Sequence, residues 1–142
     1  MGESTVEVGT KIPDLILPAI TRANLALYAG ASGDHNPIHI DSDFAKKAGA
    51  GDVFAHGMLS MAFLGRMLTD WQPLSALRKF SSKFTAITQL GDAITCSGEV
   101  VEIVENEGER LAYCHIFAAN QKGDKTLIGE AVVVIGSNCN GK

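Results

Sequence analysis

Residues 56–71 read HGMLSMAFLGRMLTDW. Apolar side chains fill nearly every position of the first turns, Met58–Leu64, and a helix that is apolar on all sides is typical of a buried position. Ala62 and Gly65 are small enough to let a sheet approach closely, and Pro73 ends the helix. The stretch therefore predicts a long helix at the centre of the domain.

Four strand candidates follow this helix, separated by turn signals rich in Gly, Asp and Asn. They are residues 78–88, 93–104, 110–119 and 127–135. Their spacing predicts an antiparallel meander, and the separation of strands from helices favours an α+β domain over an alternating α/β domain. Before the central helix we expect short extended segments at residues 6–8 and 15–17, and helices at residues 21–30 and 42–48. Because the chain is short, we expect the free sheet edges to pair with a second copy.

The composition describes a single packed domain over residues 1–142. Apolar residues make up 46% of the chain, which excludes disorder for most of it. Acidic residues outnumber basic ones by 16 to 12, giving a net charge of −4, so a basic face for nucleic acid is not expected. The longest apolar stretch, residues 58–65, is far shorter than the roughly 20 residues a membrane span needs. We therefore expect neither a nucleic-acid partner nor a membrane.

The start of the chain and the cysteines both favour the cytoplasm. Residues 1–6 contain no basic segment followed by an apolar one, so no signal peptide is predicted. There are three cysteines, and Cys96 and Cys114 lie in apolar strand-like runs typical of small core residues. An odd number without close pairs favours a reducing compartment over a disulfide framework.

A short loop before the central helix is the most informative part of the chain: residues 33–39 read GDHNPIH. Pro37 fixes its own φ and pushes Asn36 toward extended geometry, which makes the segment rigid. Asp34 and His39 lie on either side of this kink, so both side chains can aim at one point. A carboxylate beside an imidazole can hold and deprotonate a water and later return the proton. A purely structural interpretation stays open, in which Asp34 closes a turn and His39 bonds to the backbone.

The dipeptide His56-Gly57 at the start of the central helix is the second feature. The first N–H groups of a helix have no intrahelical partner and carry partial positive charge. Because Gly57 has no side chain, a carbonyl oxygen that gains negative charge during a reaction can reach its N–H. The alternative is that Gly57 only permits tight entry into the helix. For His56, a capping or core hydrogen bond is favoured over direct chemistry.

Weaker candidates surround these two features. Met58 follows Gly57 and is a candidate contact to a ligand chain, although its spacing is also typical of core. Lys79 and Lys83 are candidates for binding a phosphate group, although surface lysines are common. A metal site is a further alternative, built from Asp34, His35, His39 and Asp41. The motifs for calcium and nucleotides are incomplete, and we expect no metal and no cofactor.

These residues resemble a known family. Tyr28, residues 32–39 (SGDHNPIH) and Ala45 are similar to the hydratase 2 motif of the MaoC-like dehydratases, and residues 55–59 (AHGML) match the entry to their central helix. The close match covers about residues 21–59, and the later strands agree only in pattern. Within the family, the chain is most similar to R-specific enoyl-CoA hydratases and to the B subunit of mycobacterial-type (3R)-hydroxyacyl-ACP dehydratases.

The resemblance implies a single hot-dog fold, in which an antiparallel sheet wraps one central helix, and pairing into a homodimer or a heterodimer. It implies reversible addition of water to a trans-2-enoyl thioester of CoA or acyl carrier protein, which gives the (3R)-3-hydroxyacyl thioester. By the same resemblance, Asp34 and His39 activate the water, and the Gly57 N–H polarises the thioester carbonyl. Asn36 supports the loop, and His56 is counted as a second supporting residue.

Two other functions stay open. A hot-dog thioesterase directs water at the carbonyl carbon, and a non-catalytic subunit completes the acyl tunnel of a heteromeric dehydratase. The presence of both Asp34 and His39 favours an active hydratase. Gly65 stands where some relatives carry a serine, and Ser60 offers a hydroxyl only in a different helical register. We expect the glycine to widen the acyl pocket.

Overall fold

A five-stranded antiparallel sheet packs on one long helix in the computed structural model, which describes residues 5–137. Its helices are α1 (Arg22–Ser32), α2 (Ser42–Lys47) and α3 (Gly57–Trp71), with short 3-10 helices at Pro37–His39 and Leu74–Ala76. Its strands are β1 (Lys11–Ile16), β2 (Leu77–Phe84), β3 (Thr95–Asn106), β4 (Glu109–Ala119) and β5 (Lys125–Ser137). Residues 1–4 and residues 138–142 lie outside the described part. The first of these segments belongs to the stretch from which no signal peptide is predicted. The assignment of one domain to residues 1–142 stays a prediction.

The central helix α3 lies where the sequence predicts it, with His56 at its N-cap. One face of it is buried against the sheet: Leu59, Ser60, Leu64, Met67 and Leu68. On the other side Met58 is 54% exposed, and Ala62 is exposed as well. A single sheet covers one side of a helix, so the apolar residues of the opposite side lie at the surface of the isolated chain.

The strand order is β1-β3-β4-β5-β2. Strands β3, β4 and β5 form the predicted meander, but β2 pairs with β5 instead of β3, so the meander prediction is wrong for that strand. The connection at residues 85–94 explains the difference, because it bonds to earlier segments instead of forming a hairpin turn. The Ala55 N–H donates to the Thr88 carbonyl at 2.9 Å, and the Ile20 N–H donates to the Asp92 carbonyl at 2.9 Å. These bonds carry the chain across to the opposite edge of the sheet.

Strand β1 forms the other edge of the sheet. The sequence predicted extended segments at residues 6–8 and 15–17, whereas a single strand is found at Lys11–Ile16. Pro13 is tolerated in it because one side of an edge strand has no ladder partner. Strand β2 is also shorter than predicted: it ends at Phe84, where the connection to the opposite edge begins.

The two smaller helices match their predicted positions within two residues at each end. Thr21 caps α1 as predicted, since its Oγ1 accepts the N–H of Asn24 at 3.1 Å. In the core beside α3, Cys96 and Cys114 are buried, as expected of small core residues. No helix in the described range is long and apolar enough to cross a membrane.

Candidate active site

The loop after α1 is shaped by hydrogen bonds from its own side chains. Gly33 ends α1 in the left-handed conformation at φ +80°, and its N–H donates to the Ala29 carbonyl at 3.0 Å. Asp34 Oδ1 then accepts the N–H of Asn36 at 3.2 Å. The Asn36 side chain in turn accepts the N–H of Ile38 at 3.1 Å and caps the 3-10 helix that follows. Asn36 thus shapes the loop that carries Asp34.

His39 lies at the end of that 3-10 helix and is only 9% exposed. Its Nδ1 lies 2.7 Å from the carbonyl oxygen of Phe54. Because a carbonyl oxygen only accepts hydrogen bonds, Nδ1 carries the proton in the neutral ring, and Nε2 keeps its lone pair. The Phe54 ring packs edge-on against the imidazole at 5.1 Å between centroids. His39 is therefore oriented with Nε2 available as a base.

His56, the residue before α3, brings the two halves of the site together. Its Nε2 lies 3.1 Å from the carbonyl oxygen of Asp34, and its ring stacks on His39 with centroids 3.9 Å apart and planes inclined by 26°. One ligand-type side-chain atom from each of Asp34, His39 and His56 lies within 4.8 Å of the other two. Asp34 and His39 thus lie side by side, with the Asp34 carboxylate exposed.

Gly57 is the first residue of α3, so its N–H has no acceptor within the helix. The ring of Phe84, the last residue of β2, lies against it: a Cβ at Gly57 would meet two ring carbons at 3.0 Å. Carbon contacts of this kind are normally about 3.5–4.0 Å. A larger residue would therefore fit here only if the ring moved by a few tenths of an ångström. The Gly57 N–H directly follows His56 in the chain. The sequence analysis assigns Phe84 no role in the site, since an aromatic residue in a strand gives no signal of one.

The weaker substrate-binding candidates lie on two different elements, α3 and β2. Met58 is an exposed neighbour of Gly57. Side chains alternate between the two faces of a strand, and Phe84 of β2 faces α3. Lys79 and Lys83 therefore project from the opposite face of β2. The structure does not bring these lysines to Gly57, and their phosphate-binding role stays a prediction.

The four residues of the alternative metal site are not brought together as one group among the described residues. Asp41 uses its carboxylate to cap α2, where Oδ1 accepts the N–H groups of Asp43 and Phe44. The group with metal-ligand spacing contains His56 in place of Asp41 and His35. A metal lies in the ring plane of each histidine that binds it, and the stacked rings of His39 and His56 have nearly parallel planes. The stack therefore opposes binding of one ion by both rings.

The environment of Gly65 differs from the expected wide pocket. A Cβ at Gly65 would lie 3.3 Å from the Phe80 ring, so this ring fills the room beside the glycine. The nearby hydroxyl of Ser60 is buried and lies 3.3 Å from Thr88 Oγ1. Ser60 thus ties α3 to the connection after β2, and its hydroxyl is engaged there.

A polar network that the sequence analysis missed holds the segment before α3. Asp52 accepts hydrogen bonds from Ser42 Oγ at 2.8 Å and from the Val53 N–H at 2.7 Å, and it pairs with Arg22 at 2.9 Å. The Ser42 hydrogen bond is the largest cause that lowers the pKa of Asp52, followed by the Val53 bond. The network fixes the chain just before Phe54, whose carbonyl orients His39. No sequence signal marks this network, because its members are far apart in the chain and the group that it positions is a backbone carbonyl.

The family model for the MaoC-like domain matches residues 7–113. The chain is 30% identical over 118 residues to the (R)-specific enoyl-CoA hydratase of Rhodospirillum rubrum, covering 82% of this chain and 80% of that protein. It is also 30% identical over 135 residues to the (R)-specific enoyl-CoA hydratase of Aeromonas caviae, covering 94% and 98%. Both relatives are therefore matched over most of their length.

Solved structures show the same similarity in three dimensions. The (R)-hydratase from A. caviae involved in PHA biosynthesis superposes with a TM-score of 0.78 at 29% identity, covering 92% of this chain and 98% of that one. An unliganded R-hydratase from Pseudomonas aeruginosa gives a TM-score of 0.81 at 28% identity, covering 94% and 84%. The predicted hot-dog fold is confirmed by this likeness and by the helix on its antiparallel sheet. The chain belongs to the family of MaoC-like domains.

Proposed function

We propose that this protein is an R-specific enoyl-CoA hydratase, which adds water reversibly to a trans-2-enoyl-CoA to give the (3R)-3-hydroxyacyl-CoA. The observation that carries the proposal is the placement of the Asp34 carboxylate within 4.8 Å of a ring nitrogen of His39, close to the start of α3. The relatives from R. rubrum and A. caviae, which bear the same activity in their names, support it. The stereochemistry and the CoA thioester rest on those relatives.

In the proposed reaction, Asp34 and His39 hold one water between them. One of the two groups takes a proton from the water as its oxygen forms a bond to C3 of the enoyl chain. The electron pair of the C2–C3 double bond moves toward the thioester carbonyl, whose oxygen gains negative charge. The N–H of Gly57 stabilises that charge. A proton delivered to C2 by one of the pair completes the addition, so no proton is gained or lost overall.

The thioesterase alternative differs in the carbon that water attacks. Attack at the carbonyl carbon releases the thiol, whereas attack at C3 removes the conjugated double bond and leaves the thioester intact. The two reactions therefore give separate signals with crotonyl-CoA: loss of the enoyl absorbance, or appearance of free thiol. We expect the first signal without the second.

The test compares the wild type with Asp34→Asn and His39→Ala, and each variant should lose roughly 10²–10⁴-fold in rate. Matched controls come from the same region: His35→Ala and Asp43→Asn change an exposed histidine and an exposed carboxylate outside the proposed machinery. Both controls should keep wild-type rates. Thiol release by the wild type would refute hydration. Equal activity in all four variants would remove the chemistry from this pair. Activity only with acyl carrier protein thioesters, or only with an added partner chain, would refute the CoA and homodimer parts.

We further propose that the active form is a homodimer. Met58, which follows Gly57 in the chain, and Phe84, whose ring lies against Gly57, are 54% and 51% exposed. Ile87, in the connection after β2, is 54% exposed. Strand β2 lies at the edge of the sheet, where one side of its backbone has no ladder partner. A second copy would cover both the apolar residues and the edge. Light scattering of the purified protein should give twice the chain mass, and a stable monomer with full activity would contradict this.

We propose a cytoplasmic location for the enzyme. Cys96 and Cys114 are free thiols in the core, and burial raises their pKa to about 12 and about 11. Unpaired cysteines are typical of proteins in reducing compartments. Cell fractionation should recover the protein with cytoplasmic markers, and recovery with membranes or in the medium would contradict the proposal.

A further inference from the structure

The imidazole of His56 contacts both members of the proposed catalytic pair. Its Nε2 reaches the backbone carbonyl of Asp34 at 3.1 Å, and its ring stacks on His39 at 3.9 Å between centroids. The ring of Tyr28, in α1, packs edge-on against the same imidazole at 4.9 Å. His56 is 2% exposed, and although it stands at the N-cap of α3, its side chain makes no capping bond. Its polar contact is therefore directed to the loop of Asp34.

The hydrogen bonding fixes the tautomer of His56. Because the Asp34 carbonyl only accepts, Nε2 carries the proton and Nδ1 does not. Nδ1 is buried and has no hydrogen-bond partner among the described residues. A second proton on Nδ1 would create a buried donor without an acceptor, in a ring stacked on His39. This geometry favours a neutral His56.

The ionisable groups around His56 agree with a neutral ring. Burial is the largest cause that lowers its pKa, and the charge of His39 lowers it further, while the Asp34 backbone bond and the Asp34 charge oppose the shift. The groups that face it are Asp34 from the loop after α1, His39 from the 3-10 helix and Tyr28 from α1. His56 thus stays uncharged at a pH at which an unperturbed histidine begins to protonate.

We propose that His56 is the positioning residue of the catalytic pair: its Nε2–H anchors the backbone of Asp34, and its ring fixes the plane of His39. This inference rests on the proposed function. His56 directly precedes Gly57, so it also sets the distance between the pair and the N–H assigned to the thioester carbonyl. His56 itself takes up no proton in the cycle. Its contribution is to hold Asp34, His39 and the Gly57 N–H in their relative positions. A misplacement of about 1 Å can lower the rate by about 10²-fold.

Two variants separate the two contacts of His56. His56→Gln keeps an amide N–H near the position of Nε2 and loses the aromatic ring, whereas His56→Phe keeps a stacking ring and loses the donor. We expect each to lower kcat with crotonyl-CoA by about 10-fold, and His56→Ala, which loses both contacts, by about 10²-fold. KM should stay within about twofold, because uniform substrate binding is unchanged. The pH–rate profile should keep both of its limbs, since His56 takes up no proton in the proposed cycle.

Ser60→Ala is the matched control, because it removes a buried hydrogen bond from the same helix without touching Asp34 or His39. It should lower the unfolding temperature and leave kcat unchanged. The proposal would be overturned if kcat fell in proportion to the unfolding temperature across Ser60→Ala and the His56 variants. His56 would then have only a structural role. Loss of a limb of the pH profile in His56→Gln would make His56 a proton-transfer group and overturn it as well.

A readout that needs no turnover separates this inference from the proposed function. In protein labelled with ¹⁵N at histidine, the His39 Nδ1–H resonance should be protected from exchange in the wild type and in His56→Phe, which keeps a stacking ring, and exchange faster in His56→Gln and His56→Ala. If the wild type is inactive on enoyl-CoA, or Asp34→Asn stays active, the proposed function fails while this result still stands. If the resonance is unchanged in all His56 variants, the positioning role fails while the hydratase assignment stands.

Discussion

Substitution of Gly57 by alanine tests the carbonyl-binding assignment most directly. The new methyl would lie 3.0 Å from two carbons of the Phe84 ring. The ring is 51% exposed and can turn away, at a cost of about 0.5–1.5 kcal/mol for an off-rotamer side chain. Alanine stabilises the helix by up to about 1 kcal/mol relative to glycine, because its helix propensity is higher. The free energy of unfolding should therefore change by less than about 1 kcal/mol.

The effect on the reaction should be much larger. Alanine keeps the N–H, but we expect its methyl to hold the thioester carbonyl of the proposed substrate away from that N–H. Loss of one donor to a developing oxyanion costs about 2.7–4 kcal/mol of transition-state stabilisation, which is about 10²–10³-fold in kcat. In this variant the loss of transition-state stabilisation should therefore exceed the change in the free energy of unfolding by roughly 2 kcal/mol or more. Single-turnover hydration of crotonyl-CoA and denaturant unfolding measure the two quantities on the same protein.

The double variant Gly57→Ala/Phe84→Ala distinguishes the two consequences of the methyl. Truncation of Phe84 removes the steric conflict, so the stability cost of the Gly57 substitution should disappear in this background. The hydration rate should stay low, because the methyl still blocks the donor. Recovery of the rate in the double variant would show that displacement of the ring causes the loss. A single variant with more than a third of the wild-type rate would refute the assignment of Gly57.

Three further predictions concern stability and pH. Folding lowers the pKa of Asp52, chiefly through the Ser42 hydrogen bond. The Asp52 carboxylate therefore stabilises the fold at pH values above its ordinary pKa of 3.8, and this effect is lost as the pH falls through the lower pKa of the folded state. The free energy of unfolding of Asp52→Asn should be below that of the wild type at pH 7, and the difference should vanish at strongly acidic pH. Gly65→Ala should change the free energy of unfolding by less than about 1 kcal/mol, since the helix propensity of alanine offsets the 3.3 Å contact with Phe80; a loss above 2 kcal/mol in urea unfolding would contradict this. Gly98→Ala should destabilise by about 1–3 kcal/mol, because its Cβ would meet two buried isoleucine side chains at 2.8 and 2.9 Å; an unchanged unfolding midpoint would argue against the packing described.

The parts of the fold that depend on local sequence were predictable. The kinked loop follows from Gly33 and Pro37, and the proximity of Asp34 to His39 follows from that kink. The central helix follows from its apolar run and from Pro73. In each case the residues that determine the structure lie within a few positions of one another, so their patterns are visible in the sequence.

The parts that depend on contacts between distant segments were not predictable. The turn at Gly91-Asp92 is read locally as a hairpin, but Asp92 is bonded to residues near the start of the chain, which moves β2 to the far edge. His56 was expected to have a structural hydrogen bond, yet its acceptor, the Asp34 carbonyl, lies 22 positions earlier. The carbonyl of Phe54 that orients His39 has no signature at all. These features depend on how the segments pack, which a single sequence does not encode in local patterns.

The far-edge position of β2 has a consequence for how the site forms during folding. Strands β3, β4 and β5 are neighbours in sequence and can pair through short loops, whereas β2 can join the sheet only once β5 is in place. Contacts with long loops form late because the entropy of closing the loop must be overcome first. Phe84 is therefore expected to reach Gly57 after the meander has assembled. The ring of Phe84 would then complete the wall beside the Gly57 N–H only after β5 has paired with β4.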